Sequence, residues 1–196
     1  LLLLTIFVDL FSFGVVIPVL PIFVKDIGGS DLAVGLVTAV YSLAQFFMTP
    51  VWGALSDRYG RRPIILGSTA IHTVSYGLMA FAGTVPLLLG ARLLAGVGSG
   101  NISAAQAYIS DITSPEKRAG SLALIGAAFS LGFIFGAPVG GFLMAEYGFE
   151  AVGWFTGGLC FLNLVLAFFI LPESLQEKHP NTLIRVLPVR AFVRSF

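Results

Sequence analysis

Six stretches of this chain are apolar for about the 20 residues that a helix needs to cross a bilayer, and this excludes most folds at once. They cover residues 1–24, interrupted only by Asp9, then 32–55, 63–82, 86–110, 118–145 and 151–171. The third and fourth form one long run whose only charge is Arg92, divided at Ala82-Gly-Thr-Val-Pro86, where Gly and Pro supply a turn. Of the 196 residues, 57% are hydrophobic and 11% charged, whereas a soluble domain carries about a quarter charged. One soluble core cannot hide that much apolar surface, so the expected class is an all-α membrane protein of six spans in contact with the lipid bilayer. A net charge of +1 argues against a nucleic-acid partner, which needs a basic face. Cys160 is the single cysteine and His72 and His179 lie far apart, so neither a disulfide framework, a metal site nor a cofactor is expected. The opening LLLLTIFVDL has no Met, no basic start and no small-residue cleavage site. It is read as the inside of a span, with the natural protein beginning some residues earlier.

An even number of spans puts both ends on one side. Arg58, Arg61 and Arg62 follow the second span, Lys117 and Arg118 the fourth, and Lys178, Arg185, Arg190 and Arg194 the sixth. The other side carries Lys25, balanced by Asp26, with Glu146 and Glu150. The positive-inside rule then places both termini in the cytoplasm. Residues 173–196 are the most polar part and are expected to start a cytoplasmic linker, with basic residues near anionic headgroups.

The chain repeats itself. Residues 41–60, YSLAQFFMTPVWGALSDRYG, align without a gap on residues 129–148, FSLGFIFGAPVGGFLMAEYG, and nine of the twenty positions are identical. Chance similarity between two Gly-rich helix ends is the weaker reading. The first copy ends the second span beside three arginines, and the second copy ends the fifth span with none. Two three-helix units of opposite orientation explain the lost charge, an inverted repeat of the kind found in secondary transporters.

Gly53-Ala-Leu-Ser-Asp57-Arg-Tyr-Gly60-Arg61-Arg62 resembles the signature loop between the second and third spans of the major facilitator superfamily. Arg92-Leu-Leu-Ala-Gly-Val-Gly-Ser-Gly100 is similar to its fourth-span motif, and Gly132-Phe-Ile-Phe-Gly136-Ala-Pro138-Val-Gly140-Gly141 to the fifth-span motif of its drug–proton antiporters. Ile17-Pro-Val-Leu-Pro21, Ala107-Tyr-Ile-Ser-Asp-Ile-Thr113 and Leu171-Pro-Glu-Ser174 look like the multidrug and tetracycline efflux branch. Ser75 departs from the tetracycline exporters, which carry Asp there. The resemblance covers nearly the whole chain and implies the N-terminal six-helix half of a transporter. A second six-helix half, from a longer chain or a second copy, is then the expected partner. It also implies a proton-coupled exporter of drugs or other small amphipathic compounds, working by alternating access rather than as an enzyme.

Single residues carry the rest. Asp9 lies inside the first span, where a charge costs several kcal/mol, so it suits a group that faces a cavity and exchanges a proton. Its plainer reading is a structural hydrogen bond between spans. Arg92 cannot lose its proton and so attracts anions or acts on a carboxylate; the resemblance pairs it with Asp9 in proton coupling. Snorkelling onto nearby carbonyls is an equally good reading. Gln45, Asn101, Gln106 and Asn163 are polar groups within spans, of the type that joins helices. The resemblance makes Gln45 and Asn101 cavity-lining, and Tyr41, Tyr76, Phe11 and Phe47 are candidates for an aromatic pocket.

Gly53, Asp57, Arg58, Gly60, Arg61 and Arg62, with Asp111 at the end of the fourth span, are expected to form a cytoplasmic gate. In that gate Asp57 would meet a helix N-terminus and pair with Arg58 or Arg61. Gly132, Gly136, Gly140 and Gly141, with Pro138, are expected to make the fifth span a close-packing, bendable helix. The rival readings are a facilitator or symporter of sugars or other metabolites on the same fold, and a six-helix channel or scaffold.

Overall fold

The computed structural model describes residues 2–99 and 102–175. Helix α1 (Leu2–Val16) and the short α2 (Leu20–Asp26) meet at a bend of 43°. Pro18 lies at the bend and has no amide hydrogen to continue the helical ladder. Helix α3 (Asp31–Tyr59) starts where Ser30 Oγ accepts a hydrogen bond from the Ala33 amide, an N-cap. Helices α4 (Arg61–Ala80), α5 (Val85–Gly98), α6 (Ile102–Ile112) and α7 (Pro115–Ile170) follow.

With 56 residues α7 has the length of two spans, and it is two: the backbone turns at Gly148, φ 77° and ψ 178°, into arms of residues 115–147 and 149–170. Positive φ costs glycine nothing, because it has no Cβ. Gly60 makes the same turn between α3 and α4, at φ 114° and ψ 156°. The repeated Tyr-Gly therefore does the same structural task in both copies, ending one long helix and starting the next with no loop between. The polar residues around 146–150 are expected to form a loop, but a single glycine suffices.

Helices α3, α5 with α6, and α7 are long and apolar enough to cross a membrane, and the bent α1–α2 pair makes a fourth. Helix α4 has the length, 20 residues, but is less apolar, since Ser68, Thr69, His72 and Ser75 are buried against its neighbours. Large apolar side chains cover the outside, among them Leu32, Phe46, Phe142 and Phe169. A soluble monomer rarely exposes so wide an apolar surface. The chain is a multi-pass membrane protein.

Helix α1 packs chiefly on α7, α4 on α7 and α5, and α3 on α5. Two apolar clusters result. One gathers Val15, Val16, Val24, Val37, Met79 and Leu88, and the other Leu2, Ile6, Ile64, Ile65, Ala104 and Ile109. Several buried polar residues fall at or near the boundary between the two, among them Asp9 and Ser12 on α1, His72 on α4 and Asn163 on α7. A polar layer thus crosses the middle of the bundle.

Close packing of α1 on α7 depends on glycine. A Cβ at Gly136 would stand 2.8 Å from Phe11 O and from the Gly14 carbonyl carbon, and one at Gly140 would strike Val15 O. The stripe expected to pack closely thus lies against the first span. Gly141 is not part of this contact: one residue further turns it roughly 100° around the helix, into open space. The backbone also stays helical through Pro138 and breaks at Gly148 instead.

Candidate functional site

The polar layer opens into a cavity of about 250 Å³ whose lining includes Asp9, Phe13, Tyr41, Gln45, His72, Tyr76, Ser99 and Phe129. Its position follows from helix geometry. Asp9 and Phe13 are four apart on α1, as are Tyr41 and Gln45 on α3 and His72 and Tyr76 on α4, so each pair shares one face. Three helices each turn one face inward. Of the residues expected to line a cavity, Tyr41, Gln45 and Tyr76 do so, together with Asp9. Asn101 lies outside the described residues. Phe47 points outward, half exposed, and Phe11 packs beside the apolar cluster rather than in the cavity.

His72 is the residue the sequence did not mark. Its Nε2–H donates to Ala95 O at 3.2 Å, and its Nδ1 stands 3.6 Å from Asp9 Oδ1. Both side chains are more than nine-tenths buried. A lone histidine in an apolar run gives no spacing signal, and only the fold brings it to Asp9.

Arg92 is fully buried and does not line the cavity. Its guanidinium lies 4.4 Å from the ring centre of Tyr41 and 6.0 Å from that of Phe13, two residues that do. Among the described residues its three side-chain nitrogens make no hydrogen bond. The faces of two aromatic rings hold this charge, an attraction of about 2 kcal/mol when desolvated. Ser75 points away from the cavity and donates to Ala91 O at 2.9 Å. Asn163 joins α7 to α1 by donating to Thr5 O at 3.3 Å, and Gln106 is exposed.

The second group of candidates meets at one end of the bundle. Arg61, nearly buried, donates through Nη1 to Asp57 and to Ser56 Oγ at 2.7 Å, and through Nε to Asp111 Oδ2 at 3.1 Å. Asp57 thus pairs with Arg61 and not with Arg58, which lies exposed over the Tyr59 ring. Among the described residues Asp57 meets no helix N-terminus; that of α4 takes Glu173, whose two oxygens accept from the Arg61 and Arg62 amides at 2.9 and 3.2 Å. A helix N-terminus has unpaired N–H groups and partial positive charge, so a carboxylate fits it. Arg62 donates from Nη2 to Phe168 O at 2.6 Å. At Gly53 a Cβ would meet Ser103 Oγ at 3.5 Å, an ordinary contact, so the approach of α3 to α6 there does not require glycine; the Ser103 hydroxyl donates to Thr49 O. The loop, the end of α6 and the segment after α7 are pinned to one another.

Residues 2–194 match the family model described as Major Facilitator Superfamily. The chain is 39% identical over 197 residues to the tetracycline resistance protein, class C, of Escherichia coli, covering 98% of this chain and 48% of that protein. It is 33% identical over 177 residues to multidrug resistance protein 2 of Bacillus subtilis, covering 89% and 44%. Among solved structures, the human organic anion transporter MFSD10 (TETRAN) superposes with a TM-score of 0.78 at 29% identity, covering 92% of this chain and 49% of that one. The chain spans about half or less of the length of these relatives.

Proposed function

Since this chain belongs to the major facilitator superfamily, a family of carriers rather than enzymes, we propose that it is one six-span half of a secondary carrier for small organic compounds. The finer reading is export of drugs or other amphipathic compounds in exchange for protons, with Asp9 as the proton site. One observation carries it: a carboxylate buried at the middle of the first span opens on a cavity walled by Phe13, Tyr41 and Tyr76. A buried acid suits proton exchange, and aromatic walls suit flat amphipathic compounds. The likeness to two resistance proteins supports the same reading.

The compound would bind between this half and a second six-helix half, the cavity forming one wall of the site. The two three-helix units would be inverted repeats, which the matching Gly60 and Gly148 turns support. The Arg61 cluster would face the cytoplasm with both termini, since Arg58, Arg61, Arg62, Lys117 and Arg118 gather near that end. Residues 173–196 would begin the linker between halves. Arg61, Asp57 and Asp111 would act as a latch, made in one state and broken in the other.

A second reading has its own observation. Arg92 brings an uncompensated positive charge against the cavity wall, and one similar structure is named as an organic anion transporter. A facilitator of organic anions would use that charge to attract its solute.

The two readings separate in proteoliposomes carrying the full-length protein. Uphill movement of a lipophilic fluorescent dye on imposing a pH gradient supports proton-coupled export. Gradient-independent flux of an aromatic carboxylate, unchanged by Asp9→Asn, supports the facilitator.

A further inference from the structure

The bonds around His72 fix where its hydrogens sit. Ala95 O can only accept, so Nε2 carries hydrogen and donates. In the neutral ring Nδ1 is then a bare lone pair, and it faces Asp9 Oδ1 at 3.6 Å. A neutral histidine and a charged aspartate would thus set two acceptors against each other in a buried place, an arrangement that low dielectric makes costly. One proton between them removes the conflict, on either the carboxyl or the imidazole. The ring is tethered by its bond to Ala95 O and packs beside Tyr76, and a Cβ at Gly98 would stand only 2.7 Å from its Cδ2.

We propose that Asp9 and His72 form one proton-binding pair, holding a single shared proton between α1 and α4 that a hydrogen-bond donor on the transported compound displaces. This rests on the reading of Asp9 as the proton site and adds a second member to it. With its proton the pair is neutral overall and can be closed off from water. Releasing that proton to water in the cavity leaves one negative charge and two facing acceptors. They must be hydrated, separated or bridged by a donor from the bound compound. A protonated amine or an N–H group supplies such a donor; an ether or a hydrocarbon does not. Proton and compound therefore compete for the same pair of atoms.

The other titratable or charged groups near the pair come from every packed element. Tyr41 stands on α3, Tyr76 on α4 itself, Arg92 on α5 and Cys160 on α7. Of these, only Arg92 carries a charge at neutral pH.

The test uses the full-length protein in proteoliposomes and two measurements with a fluorescent lipophilic amine. One is uphill export driven by a pH gradient. The other is dye exchange with no gradient, followed from about pH 6 to about pH 8, the range in which histidine ordinarily titrates. His72→Gln keeps an N–H donor for Ala95 O and binds no proton; His72→Asn serves as a second variant where Gln fails to fold. The expected result is uphill export reduced about tenfold or more and an exchange profile that no longer varies with pH. The double variant Asp9→Asn/His72→Gln, which removes both proton-binding groups, should add no further change: uphill export stays lost and exchange stays independent of pH. A pH profile of exchange identical in wild type and both His72 variants would overturn the pair. Should the wild type show no gradient-driven export, the proton-exporter reading falls, and the exchange profiles still decide the pair by the same comparison.

Discussion

Asp9 on α1 and His72 on α4 face each other across 3.6 Å, in a layer of buried polar residues between two apolar clusters. Each is the other's neighbour only because α1 and α4 both pack on α7. The same layer contains Arg92, held by aromatic faces and not by an acid.

The α1–α7 contact gives a paired prediction. Gly136→Val puts carbon within 2.8 Å of the α1 backbone, and overpacking of this kind costs about 1–3 kcal/mol. Gly141→Val has open space. Size-exclusion profiles and thermal denaturation in detergent should show a destabilised Gly136→Val protein and a nearly unchanged Gly141→Val protein.

Arg61 holds three side chains at once, so Arg61→Ala should cost about 2 kcal/mol through lost charged hydrogen bonds. Arg58→Ala removes only an exposed stacking contact and should cost under about 1 kcal/mol. Denaturant titration of both variants measures the difference, and equal losses would mean that the cluster is not centred on Arg61.

Removing the ring beneath Arg92 isolates a buried charge. Tyr41→Leu should therefore destabilise the protein by about 2 kcal/mol, while Tyr41→Phe, which keeps the aromatic face, should cost less than half of that. Melting of the two variants side by side checks the order.

The repeat makes a topological prediction. Tyr59 and Tyr147 end the two copies and are both exposed, so single cysteines placed there accept label readily. A membrane-impermeant maleimide added to sealed, right-side-out cells should modify the cysteine at 147 and leave the one at 59 until the membrane is opened. Labelling of both from outside would contradict opposed three-helix units.

How far the sequence led differs from residue to residue. Asp9 was legible because a charge in an apolar run demands a reason, and Asp57, Arg61 and Asp111 because the loop pattern is specific. His72 was not, since its meaning lies in Asp9 on another helix and no local spacing expresses that. Glu173 stood in a recognised Leu-Pro-Glu-Ser, but its task of capping α4 depends on a helix start more than a hundred residues upstream in the chain. For Gly132, Gly136 and Gly140 the spacing gives a packing face, and only the fold names α1 as what lies against it. Residues 146–150 misled for a simple reason. Polar residues between two spans look like a loop, and a glycine at φ 77° makes one unnecessary.

The central claim is that a proton and the transported compound exchange at Asp9. It is tested most directly by adding a lipophilic amine to the purified full-length protein in weakly buffered detergent and following released protons with a pH indicator. The account predicts proton release that saturates with binding in the wild type, and binding without release in Asp9→Asn. Release of equal size from Asp9→Asn, or saturable binding by the wild type with no release across the neutral range, would contradict it.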